Sequence, residues 1–173
     1  EWEPDVRRLC NELLDRVGDV VPGDTIVDAA VQYAQSIPVN VIARMLGFPP
    51  EDEDVFRGFV HTVLENVNVS AEEREEAFGP LDVFLDRQIE EHLAHPRDDL
   101  TTYLLNAEIG GNKLAREHVR GSMVLLLIAG IDTTWSAIGS SIWHLATHPS
   151  DLVRLVDDPD VMVFALEEFL RAY

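Results

Sequence analysis

Apolar residues recur along the chain with a helical period almost throughout. Val6, Leu9, Cys10, Leu13, Leu14 and Val17 fall at i, i+3, i+4, i+7, i+8 and i+11, a single stripe on a helix. Pro4 suits the first turn of that helix and Gly18 its exit. After the turn Val21-Pro-Gly-Asp24, Asp24 or Thr25 is expected to cap a helix running to Leu46 and ended by Gly47-Phe-Pro-Pro50. Pro38 lies inside it and should kink it or remove a hydrogen bond. A further helix is expected over 51–67, with Val55, Phe59, Thr62 and Val63 on one face. An acidic helix starts near Ser70 and should break at Gly79-Pro80. Leu81, Phe84, Leu85, Ile89 and Leu93 then carry an apolar face to the loop at His95-Pro-Arg97. Asp98 or Asp99 should cap a short helix bearing Leu100, Tyr103 and Leu104, and Gly110-Gly-Asn112 signals a turn.

The longest helix is predicted from about Arg116 to His148, stopped by Pro149. At ~1.5 Å per residue it would be about 50 Å long, enough to cross a domain. A short helix over 150–157 and a last one from about Asp160 follow. There is no strand of convincing length and no internal repeat. The expected fold is all-α: one partial domain over 1–173, with a long central helix and the others packed round it.

Composition narrows the function. Hydrophobic residues make up 46%, enough for a core. Thirteen Lys and Arg against thirty-two Asp and Glu give a net charge of −19, which makes nucleic acid and anionic membrane surfaces poor partners. The single Cys10 excludes an internal disulfide and a multi-cysteine metal site, and fits a reducing, cytoplasmic setting. No signal peptide is visible. The longest apolar run, Met123 to Ala129, is far short of the ~20 residues of a membrane span, so no span is expected. The helical pattern of 164–173 stops without Gly, Asn or Pro, as in a piece of a longer polypeptide.

One stretch carries chemistry. In Met123-Val-Leu-Leu-Leu-Ile-Ala-Gly-Ile-Asp-Thr-Thr134 an apolar helix is interrupted by Gly130, Asp132, Thr133 and Thr134. A buried carboxylate costs several kcal/mol unless paired or hydrogen-bonded, so a core helix should avoid one. The plain alternatives are that Thr133 returns its hydroxyl to the Ala129 carbonyl, that Asp132 pairs with an Arg, and that Gly130 serves tight helix packing. Glu168 and Arg171, three apart on one face, would ordinarily be a surface ion pair. Their neighbours Phe164, Leu166, Phe169 and Leu170 instead suggest an apolar setting. No zinc-protease or di-iron ligand set is present. His92 and His95 lack further convergent ligands, and Gly110-Gly-Asn-Lys113 lacks the rest of a phosphate loop, so no metal ligand is expected in this chain.

The order Ala-Gly-x-Asp-Thr-Thr, followed downstream by Glu-x-x-Arg, resembles the soluble, bacterial-type cytochromes P450. Ile37 to Pro49, Phe56-Arg-Gly-Phe59, Leu145-Ala-Thr-His-Pro149 and Asp158-Pro159 extend the likeness along most of the chain. The resemblance implies a haem-thiolate monooxygenase that inserts one oxygen atom from O2 into an apolar small molecule, with electrons from a ferredoxin- or flavin-type donor. It implies that Ala129 and Gly130 lie along the haem, that Thr133 hydrogen-bonds oxygen there, and that Asp132 and Thr133 relay protons. Leu125, Leu126 and Ala129 would line the substrate pocket together with lid residues Phe56 to Val67, and Glu168 and Arg171 would be structural. The family's Cys-bearing haem loop has no match here, and Cys10 is in the wrong context. The 173 residues alone are therefore expected to be inactive and not to hold haem stably. The alternatives are a non-enzymatic acidic helical interaction module, or a P450-fold peroxygenase or isomerase.

Overall fold

The structure is a computed structural model; residues 2–18, 26–49, 52, 55, 58, 59, 62 and 70–173 are described. They form two compact units, one of residues 1–37 with 133–173 and one of 38–132. The architecture is helical apart from one small hairpin.

In the first unit, α1 (Glu3–Gly18) buries Leu9 and Leu13 and packs against a π-helical turn, Ala30–Ala34. Leu14, expected on the same stripe, is exposed. Cys10 is half-buried and shares a hydrogen bond with the Tyr33 hydroxyl. Burial, then that contact, pushes the phenol up to about 12. The expected cap at Asp24 or Thr25 lies outside the described residues. Asp28 Oδ1 accepts from the Ala30 and Val31 amides at 3.0 and 3.1 Å.

The single helix expected up to Leu46 is divided into the π turn and α2 (Ser36–Met45). The cause is Pro38: without an N–H it cannot bond the carbonyl one turn back, and the backbone widens there, with Gln35 N–H donating to Ala30. The second unit begins in α2, where Val39, Ala43 and Leu46 are buried. Gly47, at φ +71°, ends the helix, the Phe48 amide reaching the Ala43 carbonyl and the Gly47 amide that of Arg44. Most of the helix expected over 51–67, including Phe56, Val63 and Val67, lies outside the described residues. Within it, Phe59 meets Phe84 at 5.6 Å between ring centroids.

Helix α3 (Ala71–Ala94) starts on a capping box, Ser70 and Glu73 each binding the other's backbone amide. It is continuous through Gly79-Pro80, where a break was expected. Two things explain this. Gly79 has no Cβ to clash with the proline ring, and the apolar face of Leu81, Phe84, Leu85 and Ile89 stays buried beyond it. Asp99, not Asp98, caps α4 (Leu100–Asn106) through the Thr102 amide at 2.8 Å. The strands β1 (Glu108–Ile109) and β2 (Asn112–Lys113) pair antiparallel about Gly110 and Gly111, both at positive φ.

The long helix α5 (Arg116–Thr147) is close to its expected bounds, ending one residue early, and is followed by α6 (Pro149–Asp157), a 3-10 turn (Pro159–Val161) and α7 (Met162–Ala172). Val119, Met123, Leu127 and Ile131 of α5 are buried, a stripe repeating every four residues. Arg116 and Arg120, one turn apart, tie α5 to three carboxylates of α3. Arg116 pairs with Glu90, and Arg120 Nη1 donates to Asp86 Oδ2 at 2.9 Å with Asp82 beside it. By length and composition α5 is long and apolar enough to cross a bilayer, although its longest uninterrupted apolar run is short. The expectation of no span counted uninterrupted apolar residues, whereas Gly, Ser and Thr dilute an apolar helix without ending it. The core helix of a soluble protein meets the same criteria.

Candidate active site

Helix α5 has two faces with different roles. At about 100° per residue, Leu125, Ala129, Asp132 and Thr133 share one side of the helix, opposite the buried stripe. All four are exposed, Leu125 by 65%. The structure thus brings together the two polar residues, the small alanine and one of the expected pocket leucines. Asp132, expected to be buried, is at the surface of this chain, so it needs no neutralising partner. Among the described residues it makes no ion pair. Thr133 and Ala129 are both engaged in interactions.

Leu126 and Gly130 turn away from that side. Leu126 is half-exposed. A Cβ built on Gly130 would lie 3.0 Å from Ile42 Cδ1 and 3.5 Å from its Cγ1, so the bare side of the glycine faces α2. In this chain the missing side chain of Gly130 thus makes room for Ile42. Ala129, one residue before, is the small side chain on the open face. Sequence reasoning missed Ile42, because nothing local marks which residue of a distant helix will fill a glycine notch.

A macrocycle suits the open face as it stands: a methyl side chain at Ala129 lets a flat group approach the backbone, with Leu125 on one flank and hydroxyl and carboxylate on the other. The iron's thiolate is a different matter. Cys10, the one cysteine, is on α1 and occupied with Tyr33, so the residues present fit the oxygen side of a haem and not its anchoring ligand.

The remaining predicted residues lie on α7. Arg171 Nε and Nη2 donate to the Glu168 carboxylate at 2.7 and 2.6 Å, a bidentate pair. That bond holds Glu168 below the usual carboxylate range and raises Arg171 above its own. The apolar setting expected for the pair is not found: its side chains are 60% and 71% exposed, and Phe164, Leu166 and Leu170 are exposed too. A cavity of about 390 Å³ lies alongside, lined by His144, Asp151, Leu155, Phe164, Glu168 and Tyr173 among others. His144 there bridges the Tyr173 hydroxyl at 2.9 Å and the Asp151 carboxylate at 3.0 Å, and its ring stacks on His148. The other histidine pair is divided: His92 is buried between Asp99 and the Gln88 carbonyl, while His95 is exposed at the helix end.

Comparison with known proteins bears on the family of the chain. The family described as Cytochrome P450 matches residues 25–162. A vitamin D(3) 25-hydroxylase of Pseudonocardia autotrophica is 36% identical over 96% of this chain and 42% of its own length. The mycinamicin IV hydroxylase/epoxidase of Micromonospora griseorubida is 29% identical over 97% of this chain and 42% of its own. The ligand-free structure of cytochrome P450 TbtJ1 superposes with a TM-score of 0.84 at 35% identity, over 98% of this chain and 45% of that one. CYP109E1 of Bacillus megaterium, solved in complex with testosterone, gives 0.85 at 34% identity, over 98% and 46%. This chain spans about two-fifths of the length of the curated relatives it matches. A helical fold, an open Ala-x-x-Asp-Thr face on its longest helix and a match over most of the sequence lead to one assignment: the chain belongs to the cytochrome P450 family.

Proposed function

We propose that the chain is the central helical part of a haem-thiolate monooxygenase, and that Asp132 and Thr133 move protons to the oxygen being reduced. The observation that carries this reading is the open side of α5, where an alanine, a carboxylate and a hydroxyl lie together opposite the packed side. Bound haem would supply oxygen activation. Ala129 would lie against it, and Leu125 and Leu126 would border the substrate. Asp132, at the surface, exchanges protons with solvent and passes them toward the hydroxyl of Thr133. Thr133 Oγ1 donates its own proton onward and is refilled from the carboxylate side. Oxygen–oxygen cleavage to water consumes two protons and two electrons, so a relay reachable from solvent is what the reaction needs. A ferredoxin- or flavin-type donor would supply the electrons. The relatives named for vitamin D(3) and mycinamicin IV support an apolar small molecule as substrate. The intact Asp132–Thr133 pair favours this reading over a peroxygenase or isomerase. The 173 residues alone would be inactive, since no cysteine of theirs suits the iron.

Thr133→Ala in the complete, haem-loaded protein should bind substrate nearly as before and divert reduced oxygen to hydrogen peroxide. Asp132→Asn should slow turnover by 10²- to 10⁴-fold at most, roughly the usual worth of a positioned acid–base group. Measuring peroxide against product decides it, and full coupling in Thr133→Ala would remove the relay.

A further inference from the structure

We propose that Ile42 is a positioning residue for the proton relay, acting through Gly130; the proposal rests on the relay reading above. Ile42 projects from α2 onto the backbone of α5, its Cδ1 3.0 Å from where a Gly130 side chain would begin. Gly130 and Asp132 are two residues apart, about 200° round the helix, so Ile42 bears on the back of the helix directly behind the Asp132 carboxylate. Elsewhere on that back the buried surface is made by side chains, Met123, Leu127 and Ile131. At Gly130 it is made against the backbone itself, which cannot swing aside.

Ile42 is well held. Its branched Cβ leaves one strongly preferred χ1 in a helix, which sets where Cγ1 lies. Its neighbours in α2 are buried, Val39 at 2%, Ala43 at 8% and Leu46 at 0% exposure, and the helix end is locked by Gly47. The contact fixes the height and rotation of α5 at the turn that carries Ala129 and Asp132. A relay works only within hydrogen-bond reach, so a shift of a few tenths of an ångström there matters.

The test is a methyl exchange. Ile42→Val removes Cδ1 and leaves a gap. Gly130→Ala adds a methyl 3.0 Å from Cδ1, so Ile42 or the helix must give by a few tenths of an ångström. With both changes the new methyl meets the remaining Cγ1 at 3.5 Å, an ordinary contact. In the complete haem-loaded protein, each single change should raise the share of electrons lost to peroxide about fivefold, well below the ~100-fold of a full ångström of misplacement. The double variant should return near the parent. Amide hydrogen exchange over 129–134 should speed up in Ile42→Val and recover in the double variant, a readout independent of turnover. If Ile42→Val stays coupled while Thr133→Ala leaks peroxide, Ile42 is packing alone and the proposal fails. A double variant as leaky as Gly130→Ala also overturns it, because Gly130 is then needed bare for its own sake. Full coupling in Thr133→Ala removes the relay reading, and this proposal with it.

Discussion

At φ +71°, Gly47 leaves the Cβ direction free for two other side chains. A methyl placed there would fall 2.1 Å from Asp99 Oδ2 and 2.9 Å from His92 Nε2. Asp99 meanwhile caps α4, Arg97 donates to the Gly47 carbonyl at 2.8 Å, and the buried Thr101 donates to that of Leu46 at 2.7 Å. Three helices are thus joined through one residue. Gly47→Ala combines the left-handed penalty of about 1–2 kcal/mol with these clashes, and should cost more than about 2 kcal/mol in urea unfolding. The glycine itself was legible: a Gly followed by Phe-Pro-Pro ends a helix in any sequence. Its partner was not, because Asp99 lies far along the chain and reads locally as a cap. The same holds for Gly130, whose smallness is visible and whose neighbour Ile42 is not. Asp132 and Thr133 stand out in the sequence because polarity inside an apolar helix is a local signal. Their exposure depends on which face the rest of the fold covers, and no local signal states that.

Among the elements, α3 shows how local and distant forces share a helix. Its start is local, the Ser70–Glu73 box. The bonds from Ser70, backbone first, hold Glu73 below the usual glutamate range. A depressed carboxylate favours the folded form above the ordinary glutamate value of about 4.3, and that contribution disappears as pH falls through the folded value. Amide exchange in the first turn of α3 should therefore quicken on acidification, and Glu73→Gln should remove that pH dependence. Ser70→Ala should cost about 1 kcal/mol at neutral pH. Continuity past Pro80 is set by burial further on, which is why the sequence suggests a break and the structure has none. The pairing of Arg116 and Arg120 with Asp82, Asp86 and Glu90 is visible afterwards as matching four-residue spacings, but spacing does not say which acidic stripe faces which basic one.

For the whole molecule, the order of helices and the long α5 follow from periodicity and breakers alone. The surroundings of Glu168 and Arg171 do not. In this chain the pair is a solvated surface bridge, and such bridges contribute little. Arg171→Ala in the 173 residues should leave the urea midpoint unchanged. In the complete protein, whose relatives are more than twice as long, the same change should lower stability and haem content together. A variant with normal haem and stability but no turnover would make Arg171 catalytic instead.

The division into two units also bears on the order in which the chain can fold. Residues 38–132 are contiguous, so that unit can assemble from neighbours as soon as they leave the ribosome. The other unit joins 1–37 to 133–173 and must wait for everything between them. Closing a loop approaching a hundred residues costs about 4 kcal/mol in chain entropy, and forming the contiguous unit first shortens that loop to the span of a folded body. Pulse-labelling during refolding should find amides of α3 and the first half of α5 protected before those of α1, with the late helices α6 and α7 becoming protected together with α1.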